Sequence, residues 1–158
     1  MRDPIYFASN RGPQRYRCLS NMSPHSIQTD RGLTFENAEI AFHWSKFYRS
    51  DPQHAAKIPT LRDPFAARRL GVRGGGGKLD PEWELVGHAG RRRKVTIMLA
   101  ILQLKLAQHT DVRIALRSSS TSPLIHRAPW DAFWGDGKDG TGKNMLGVLW
   151  EGLRETIR

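Results

Sequence analysis

The sequence is poor in cysteine and in long apolar segments, and both shortages exclude classes of protein. Cys18 is the one cysteine among 158 residues, which excludes an internal disulfide and a cysteine-rich zinc site. The longest uninterrupted apolar run covers residues 97–102, far fewer than the roughly 20 residues of a membrane-spanning helix. The N-terminal segment MRDPIYFASN holds no apolar stretch of the signal-peptide kind. These features predict a reduced, soluble, cytoplasmic protein without a membrane segment.

Acidic residues are scarce relative to basic ones. The chain has 25 Lys and Arg against 15 Asp and Glu, a formal net charge of +10, and its pI is about 10.5. Such an excess attracts polyanions and favours nucleic acid or a phosphate-rich ligand, although many small proteins are basic without such a partner. The length and a hydrophobic share of 39% predict a single domain over residues 1–158, and exclude a disordered, collagen-like or coiled-coil chain.

The apolar pattern predicts helices interleaved with short strands. Asn37 is suited to cap a helix over 38–49, and Pro64 to begin a helix over 64–70. Apolar residues at spacings of three and four predict a long helix over 91–109. The other predicted elements are a strand at 5–8, a polar loop at 10–17, a hairpin at 26–35, a strand at 123–126 and a last helix at 143–157. The predicted fold class is α+β, a mostly helical domain with one small antiparallel sheet.

Two glycine patterns near the C-terminus match nucleotide-binding motifs without the context that those motifs need. Residues 135–140 match GxGxxG, but the 18 residues that follow leave no room for a βαβ unit. Residues 137–144 nearly match a P-loop, but Asn144 stands where Ser or Thr would hold magnesium. A glycine-rich loop leading into a helix remains. It is either an anion site made of free backbone N–H groups or simply a tight loop.

The six histidines show no HExxH or comparable ligand spacing, and no carboxylates cluster with them in sequence. We therefore expect no metal and no other cofactor. On the predicted helix 38–49, Glu39, His43 and Lys46 share nearly one face. Glu39 and Lys46 lie roughly 10.5 Å apart along the helix axis. Both side chains either reach one ligand between them or belong to an ordinary polar surface stripe.

Aromatic and basic clusters complete the candidates. Segment 130–137 holds three aromatic residues and two carboxylates, and Trp83 follows a separate acidic stretch. These rings suit a platform for a base or ribose, and equally a protein core. Four cations begin the predicted helix 91–109, where they are either phosphate contacts or a solvated face: Arg91, Arg92, Arg93 and Lys94.

Several segments together resemble the NADAR (YbiA-like) family. They are LSNM at 19–22, TFENAEIAFHWSKF at 34–47, AARRLG at 66–71, and the specific pair WDAFWGDG at 130–137 and GKNMLG at 142–147. The resemblance spans about residues 5–157. Members of this family are N-glycosidases of ribosides. Some act on phosphorylated ribosylamino intermediates of riboflavin synthesis, and others remove ADP-ribose from guanine in nucleic acid.

The resemblance implies the family fold and assigns roles to individual residues. It places Glu39, Lys46 and Asp131 in catalysis, with Glu39 as the principal acid/base and Asp131 on the ribose. Lys46 either steadies the leaving group or forms an imine with ring-opened ribose. Ligand contacts are implied for Asn21, His43, Trp83, Trp134, Gly135, Asp136, Asn144 and Gly147. The chain departs from the family pattern at Ile40, where His is usual, and at residues 43–45.

Three functions follow as hypotheses. The first is removal of ADP-ribose from ADP-ribosylated guanine in nucleic acid, which the net charge favours over a small metabolite. The second is hydrolysis of a ribosylamino-pyrimidine phosphate. The third is a non-catalytic module that binds ADP-ribose or an NAD derivative. The expected partners are an ADP-ribose-containing ligand and nucleic acid, not a membrane, and the oligomeric state is left open.

Overall fold

The computed structural model describes residues 2–72, 75–87 and 90–157. Its chain forms two compact units. The terminal unit comprises Met1–Ser23 and His109–Arg158, and the central unit is Pro24–Gln108. The prediction of a single domain over 1–158 stays a prediction, and each unit is considered by itself. No helix of the described residues is long and apolar enough to cross a membrane.

The terminal unit pairs one strand from each end of the chain. Strands β1 (Ile5–Phe7) and β4 (Leu124–His126) run parallel, with Ile5 opposite Leu124. Around them lie a 3-10 helix (Gln14–Leu19), α5 (Thr110–Ser118) and α6 (Met145–Glu155). Trp150 of α6 is fully buried, and its Nε1 donates to the carbonyl of Leu19 over 2.9 Å. Trp150 therefore joins α6 to the 3-10 helix, and α6 also packs against β4.

The central unit combines a short hairpin with four helices. Strands β2 (Ile27–Gln28) and β3 (Thr34–Phe35) are antiparallel. The helices are α1 (Ala38–Ser45), α2 (Pro52–Ala55), α3 (Pro64–Gly71) and α4 (Arg93–Gln108). Side chains such as Ile40, Met98 and Leu102 are buried, and α1 packs against both α3 and α4. The packing of α1 on α3 positions the candidate site.

Local side-chain caps explain where these helices begin. The Asn37 side chain accepts a hydrogen bond from the Ile40 N–H over 3.0 Å, as predicted. Asp63 immediately precedes α3, and its carboxylate accepts hydrogen bonds from the backbone N–H groups of Phe65 and Ala66 in the first turn. Pro64 occupies the first helical position. These caps satisfy donors that have no partner inside the helix.

The predicted fold class is confirmed, because the structure is mostly helical with small sheets. The antiparallel hairpin lies within the predicted range 26–35. The parallel pair β1–β4, α2 and α5 were not predicted, and the predicted loop 10–17 forms a 3-10 helix from Gln14 onward. The predicted helices 38–49, 91–109 and 143–157 are shorter, ending at Ser45, beginning at Arg93 and beginning at Met145.

Candidate active site

Helix α1 presents a carboxylate, an imidazole and an amine toward the end of α3. The His43 side chain is buried, and its Nε2 lies 3.0 Å from Oε1 of Glu39, one turn earlier on the helix. Lys46 follows on the same face and its Nζ donates to the carbonyl of Gly71 over 2.8 Å. The structure thus brings together three of the residues that the sequence singled out.

The carboxylate of Glu39 is held in its ionised form. Burial raises the pKa of Glu39. The hydrogen bond from His43 and the charges of Lys46 and Arg68 lower it more, so the pKa of this carboxyl lies below its ordinary value. An ionised carboxylate only accepts hydrogen bonds, so the Nε2–H of His43 is the donor. Glu39 is therefore equipped to stabilise positive charge or accept a proton.

His43 hydrogen-bonds to Glu39, and its predicted ligand contact stays a prediction. The residue is 3% exposed, and burial is the main reason that its pKa is lowered, so the ring is neutral near pH 7. With Nε2 protonated, Nδ1 carries the lone pair and has no hydrogen-bond partner among the described residues. It lies against the Cα of Gly71, where a Cβ would overlap it. The ring is therefore enclosed by protein on both sides.

Arg68 is a residue near the site that sequence reasoning gave no role. It lies on α3, one turn before Gly71, and its charge acts on both Glu39 and His43. Its guanidinium makes no hydrogen bond or ion pair with any residue the structure describes, and the side chain is partly exposed. The three-residue spacing between Arg68 and Gly71 was the available signal, because it puts both on one face of α3. A guanidinium so placed is an anion-binding group.

Trp83 packs inside the central unit, and its predicted role as a stacking platform stays a prediction. It is 4% exposed and its ring packs on Phe42 with centroids 5.2 Å apart. Phe42 in turn lies under the Nζ of Lys46, 5.2 Å from the ring centroid. Trp83 therefore packs against the Phe42 ring that Lys46 contacts, and its own ring is almost entirely buried.

The predicted nucleic-acid contacts at 91–94 are largely engaged in ion pairs. Glu84 binds Arg92 over 3.0 Å and Lys94 over 2.8 Å. Arg93 lies 3.3 Å from the buried carboxylate of Asp80. These acids offset the cations that begin α4, where the helix dipole favours negative charge. The predicted phosphate contacts of this run stay a prediction, and Arg91 is exposed.

In the terminal unit, Asp131 is fixed by its own turn. Its Oδ1 accepts from the N–H groups of Phe133 over 2.9 Å and Trp134 over 2.8 Å. Its Oδ2 has no hydrogen bond to a described residue, and the side chain is partly exposed. Trp134 is also partly exposed and meets Phe133 edge to face at 5.0 Å between centroids. One carboxylate oxygen and part of an indole remain accessible here, as the predicted roles require.

The carboxylate of Asp136 is buried and hydrogen-bonds to two groups of the protein. It is 4% exposed, and its oxygens accept from Arg127 Nη1 over 2.7 Å and from the Ala128 N–H over 2.9 Å. Both oxygens have protein donors, and the predicted ligand contact of Asp136 stays a prediction. The Arg127 guanidinium that pairs with this buried carboxylate is itself half exposed to solvent. Asn21, also predicted to bind ligand, is buried in the same unit.

Asn144 and Gly147 join α6 to β4, and their predicted ligand contacts stay a prediction. Asn144 adopts a left-handed conformation with φ of 49°. Its side chain accepts from the His126 N–H and donates to the Leu124 carbonyl, both over 2.8 Å. A Cβ on Gly147 would overlap that same carbonyl, so α6 approaches β4 closely only with glycine there. The GKNMLG segment is thus a structural joint.

The expected anion site at the start of α6 is also corrected. The N–H groups of residues 143–146 all donate to backbone carbonyls of residues 132–135, over 2.8–3.1 Å. One of these acceptors is Gly135, which is buried and receives the Asn144 N–H. The loop folds back on itself and uses the donors that would otherwise meet an anion. A tight loop, the other reading of the glycine pattern, is what forms.

Comparison with known proteins places this geometry in a family. The NADAR domain model matches residues 6–158, so the chain belongs to the NADAR family. It is 33% identical over 142 residues to N-glycosidase YbiA of Escherichia coli (strain K12), covering 90% of this chain and 82% of that protein. It is 33% identical over 148 residues to N-glycosidase Npun_R5314 of Nostoc punctiforme, covering 92% and 88%.

Two further relatives bear on fold and chemistry. The NMR structure of the E. coli protein YbiA superposes with a TM-score of 0.80 at 31% identity, covering 99% of this chain and 86% of that one. Riboflavin biosynthesis protein VVA0006 of Vibrio vulnificus is 29% identical over 158 residues, covering 100% of this chain but 40% of that protein. The predicted resemblance to the NADAR family is confirmed.

Proposed function

We propose that this member of the NADAR family removes ADP-ribose from ADP-ribosylated guanine in nucleic acid. The chain is an enzyme of the N-glycosidase class, a hydrolase of N-glycosyl bonds. The observation that carries the chemistry is the ionised Glu39 beside Lys46 and Arg68. Breaking a ribosyl C–N bond builds positive charge on the sugar and negative charge on the departing base, so a carboxylate and cations are both useful.

Glu39 acts as the carboxylate of the reaction. Because its pKa is below the ordinary value, it is ionised at neutral pH and stabilises the cationic sugar or accepts a proton from the attacking water. Its Oε1 is occupied by His43, which leaves Oε2 as the oxygen directed to substrate. The proposal keeps Asp131 as the second carboxylate, which polarises the ribose hydroxyls through Oδ2.

Lys46 has two chemically distinct roles that one experiment separates. As an ammonium, held by the Gly71 carbonyl and the Phe42 ring, it stabilises the departing anionic base. As a neutral amine it would attack C1 of the ring-opened riboside and expel the base as its free amine, which leaves an imine between Lys46 and C1 that water hydrolyses. Borohydride added during turnover traps the imine as a stable adduct on Lys46. An active enzyme that yields no adduct leaves the ammonium role.

Arg68 supplies an anion-binding group for the phosphates of the substrate. Its guanidinium lies within electrostatic reach of Glu39 and has no protein acceptor among the described residues. A guanidinium binds phosphate oxygens in a bidentate manner. Arg68→Gln is expected to raise KM far more than it lowers kcat, because it removes binding common to ground and transition states.

A second substrate class has its own support. A relative over the full length of this chain is named a riboflavin biosynthesis protein, and the ion pairs at 91–94 reduce the number of cations ready for a strand. We therefore test an ADP-ribosylated guanine oligonucleotide and a ribosylamino-pyrimidine phosphate side by side, at low and physiological salt. A nucleic-acid substrate loses affinity steeply as salt rises, and a small phosphate loses little.

The same assay with two variants tests the chemistry. Glu39→Gln and Asp131→Asn preserve size and hydrogen bonding but remove the negative charge. Turnover is expected to fall by roughly two orders of magnitude or more for Glu39→Gln. Full activity in both variants would refute the assignment of the carboxylates. Ligand binding without turnover in the wild-type protein would favour a binding module over an enzyme.

A further inference from the structure

A polar cavity lies wholly inside the terminal unit and takes no part in the proposed reaction. Its volume is about 470 Å³. The lining comes from the end of α5, the turn that follows it and the end of α6: Arg117, Ser120, Thr121, Arg154 and Ile157. Among the described lining residues, two arginines and two hydroxyl side chains supply hydrogen-bond donors, and none carries a carboxylate side chain.

Arg154 is an anchored guanidinium at the wall of this cavity. The residue is 6% exposed, and its Nη1 donates to the Ser119 hydroxyl over 2.9 Å and to the Ser122 carbonyl over 2.8 Å. Its Nε has no hydrogen-bond acceptor among the described residues, and the nearest carboxylate oxygen, of Glu155, lies 4.0 Å away. The positive charge of Arg154 is therefore only loosely offset.

Arg117 is anchored at the same cavity from α5. Its Nε donates to the carbonyl of Ile157 over 3.0 Å, and the side chain forms no ion pair with any residue the structure describes. The Nε of Arg117 and the Nη1 of Arg154 thus bond to protein oxygens and fix the positions of the two guanidinium groups. The remaining N–H groups are oriented at little further entropic cost, which favours binding of an anion.

The turn between the two arginines supplies hydroxyl groups. Ser120 follows α5 in the left-handed conformation, with φ of 52°, where glycine or asparagine is usual. The hydroxyls of Ser120 and Thr121 form no hydrogen bond with any described residue. They complete a set of neutral and charged donors, which suits oxygens that carry a negative charge.

We propose that this cavity binds a phosphate group, as part of a phosphate ester. Arg117 and Arg154 would hold the phosphate oxygens, with Ser120 and Thr121 as further donors. Phosphate is favoured because two oriented guanidinium groups match its several oxygens and its charge. The inference does not depend on the proposed hydrolysis, since none of these residues takes part in it.

The experiment is an NMR titration of the full chain with inorganic phosphate at constant ionic strength. The backbone amides of Ser120 and Thr121 and the Nε–H of Arg117 are expected to shift saturably. Arg117→Gln is expected to weaken binding about tenfold, the effect of losing a charge-assisted hydrogen bond. Arg113→Gln is the matched control, because it removes the same charge from the same helix outside the cavity. It should leave affinity within about twofold.

Two further arms identify the source of the phosphate. Adenosine monophosphate tests a monoester, and a dinucleoside monophosphate tests the diester of a strand. Saturable binding of either at the cavity residues supports the proposal. It is overturned if inorganic phosphate and both esters leave these residues unshifted, or if Arg113→Gln weakens binding as much as Arg117→Gln. Turnover measured on the same variants distinguishes failure of this site from failure of the proposed reaction.

Discussion

Replacing Gly71 with alanine is expected to destabilise the protein through one contact with His43. A Cβ at this position would overlap Nδ1 of a ring that is buried and hydrogen-bonded to Glu39, so the ring has no free direction in which to move. Overpacking of this kind costs about 1–3 kcal/mol. Alanine recovers about 0.5–1 kcal/mol of the helix penalty of glycine. The expected net loss is therefore about 1–2 kcal/mol.

A double-mutant cycle isolates this contact. His43→Ala removes the ring, so Gly71→Ala in that background should be neutral or slightly stabilising. The coupling between the two positions is expected at about 1–3 kcal/mol, as for residues in direct contact. Urea denaturation measures each free energy of unfolding, and the single variant should lower Tm by about 2–8 °C for a chain of this size.

Gly152→Ala provides the matched control. Gly152 also lies in a helix, but nothing stands within 4 Å of an added Cβ, so alanine should be neutral or stabilising there. An equal cost of Gly71→Ala with and without the His43 ring would refute the reasoning. The variant should also lower kcat more than it changes KM, because displacement of His43 disturbs Glu39.

Three further outcomes follow from other contacts. Because His43 has a lowered pKa in the folded protein, the unfolded chain binds more protons below about pH 6.5. The free energy of unfolding should then fall as pH drops from about 6.5 toward that lowered pKa, and His43→Gln should flatten this dependence in urea titrations. Glu84→Gln loses pairs with Arg92 and Lys94, yet should cost under about 1 kcal/mol, since the side chains of Glu84 and Arg92 are about half exposed. Gly147→Ala should cost about 1–3 kcal/mol or more by calorimetry, because a Cβ there meets a backbone carbonyl of β4 that cannot rotate away.

Local rules predicted the part of the site that lies on one helix. The Asn37 cap and the spacing of Glu39, His43 and Lys46 depend on neighbours within two turns, and the structure has them as expected. The same rules did not indicate that His43 would turn inward. That outcome depends on Gly71, 28 positions along the chain, whose missing Cβ makes room for the ring.

Pairings between distant segments account for the features that local patterns did not predict. The N–H groups at the start of α6 are not available to an anion, because they donate to the carbonyls of residues 132–135. No local sequence pattern specifies that pairing. The family motif suggests a ligand contact for Asn144. In the structure its side-chain amide bonds to the backbone of β4, at Leu124 and His126, and β4 pairs on its other side with β1. A polar residue in a family motif can therefore hold the fold, and only the three-dimensional partners distinguish the two roles.

Ion pairs within the protein also limit what its net positive charge contributes to substrate binding. A net charge of +10 favours a polyanionic substrate only to the extent that the cations are free to release counterions. Glu84 occupies Arg92 and Lys94, so these cations should contribute little to the salt dependence of substrate binding. Glu84→Gln removes these two ion pairs. Each cation that then gains a phosphate contact steepens the logarithmic salt slope by about one unit. If the variant binds an oligonucleotide with the wild-type slope, a strand does not cross this surface and any nucleic-acid substrate must be held by cations elsewhere.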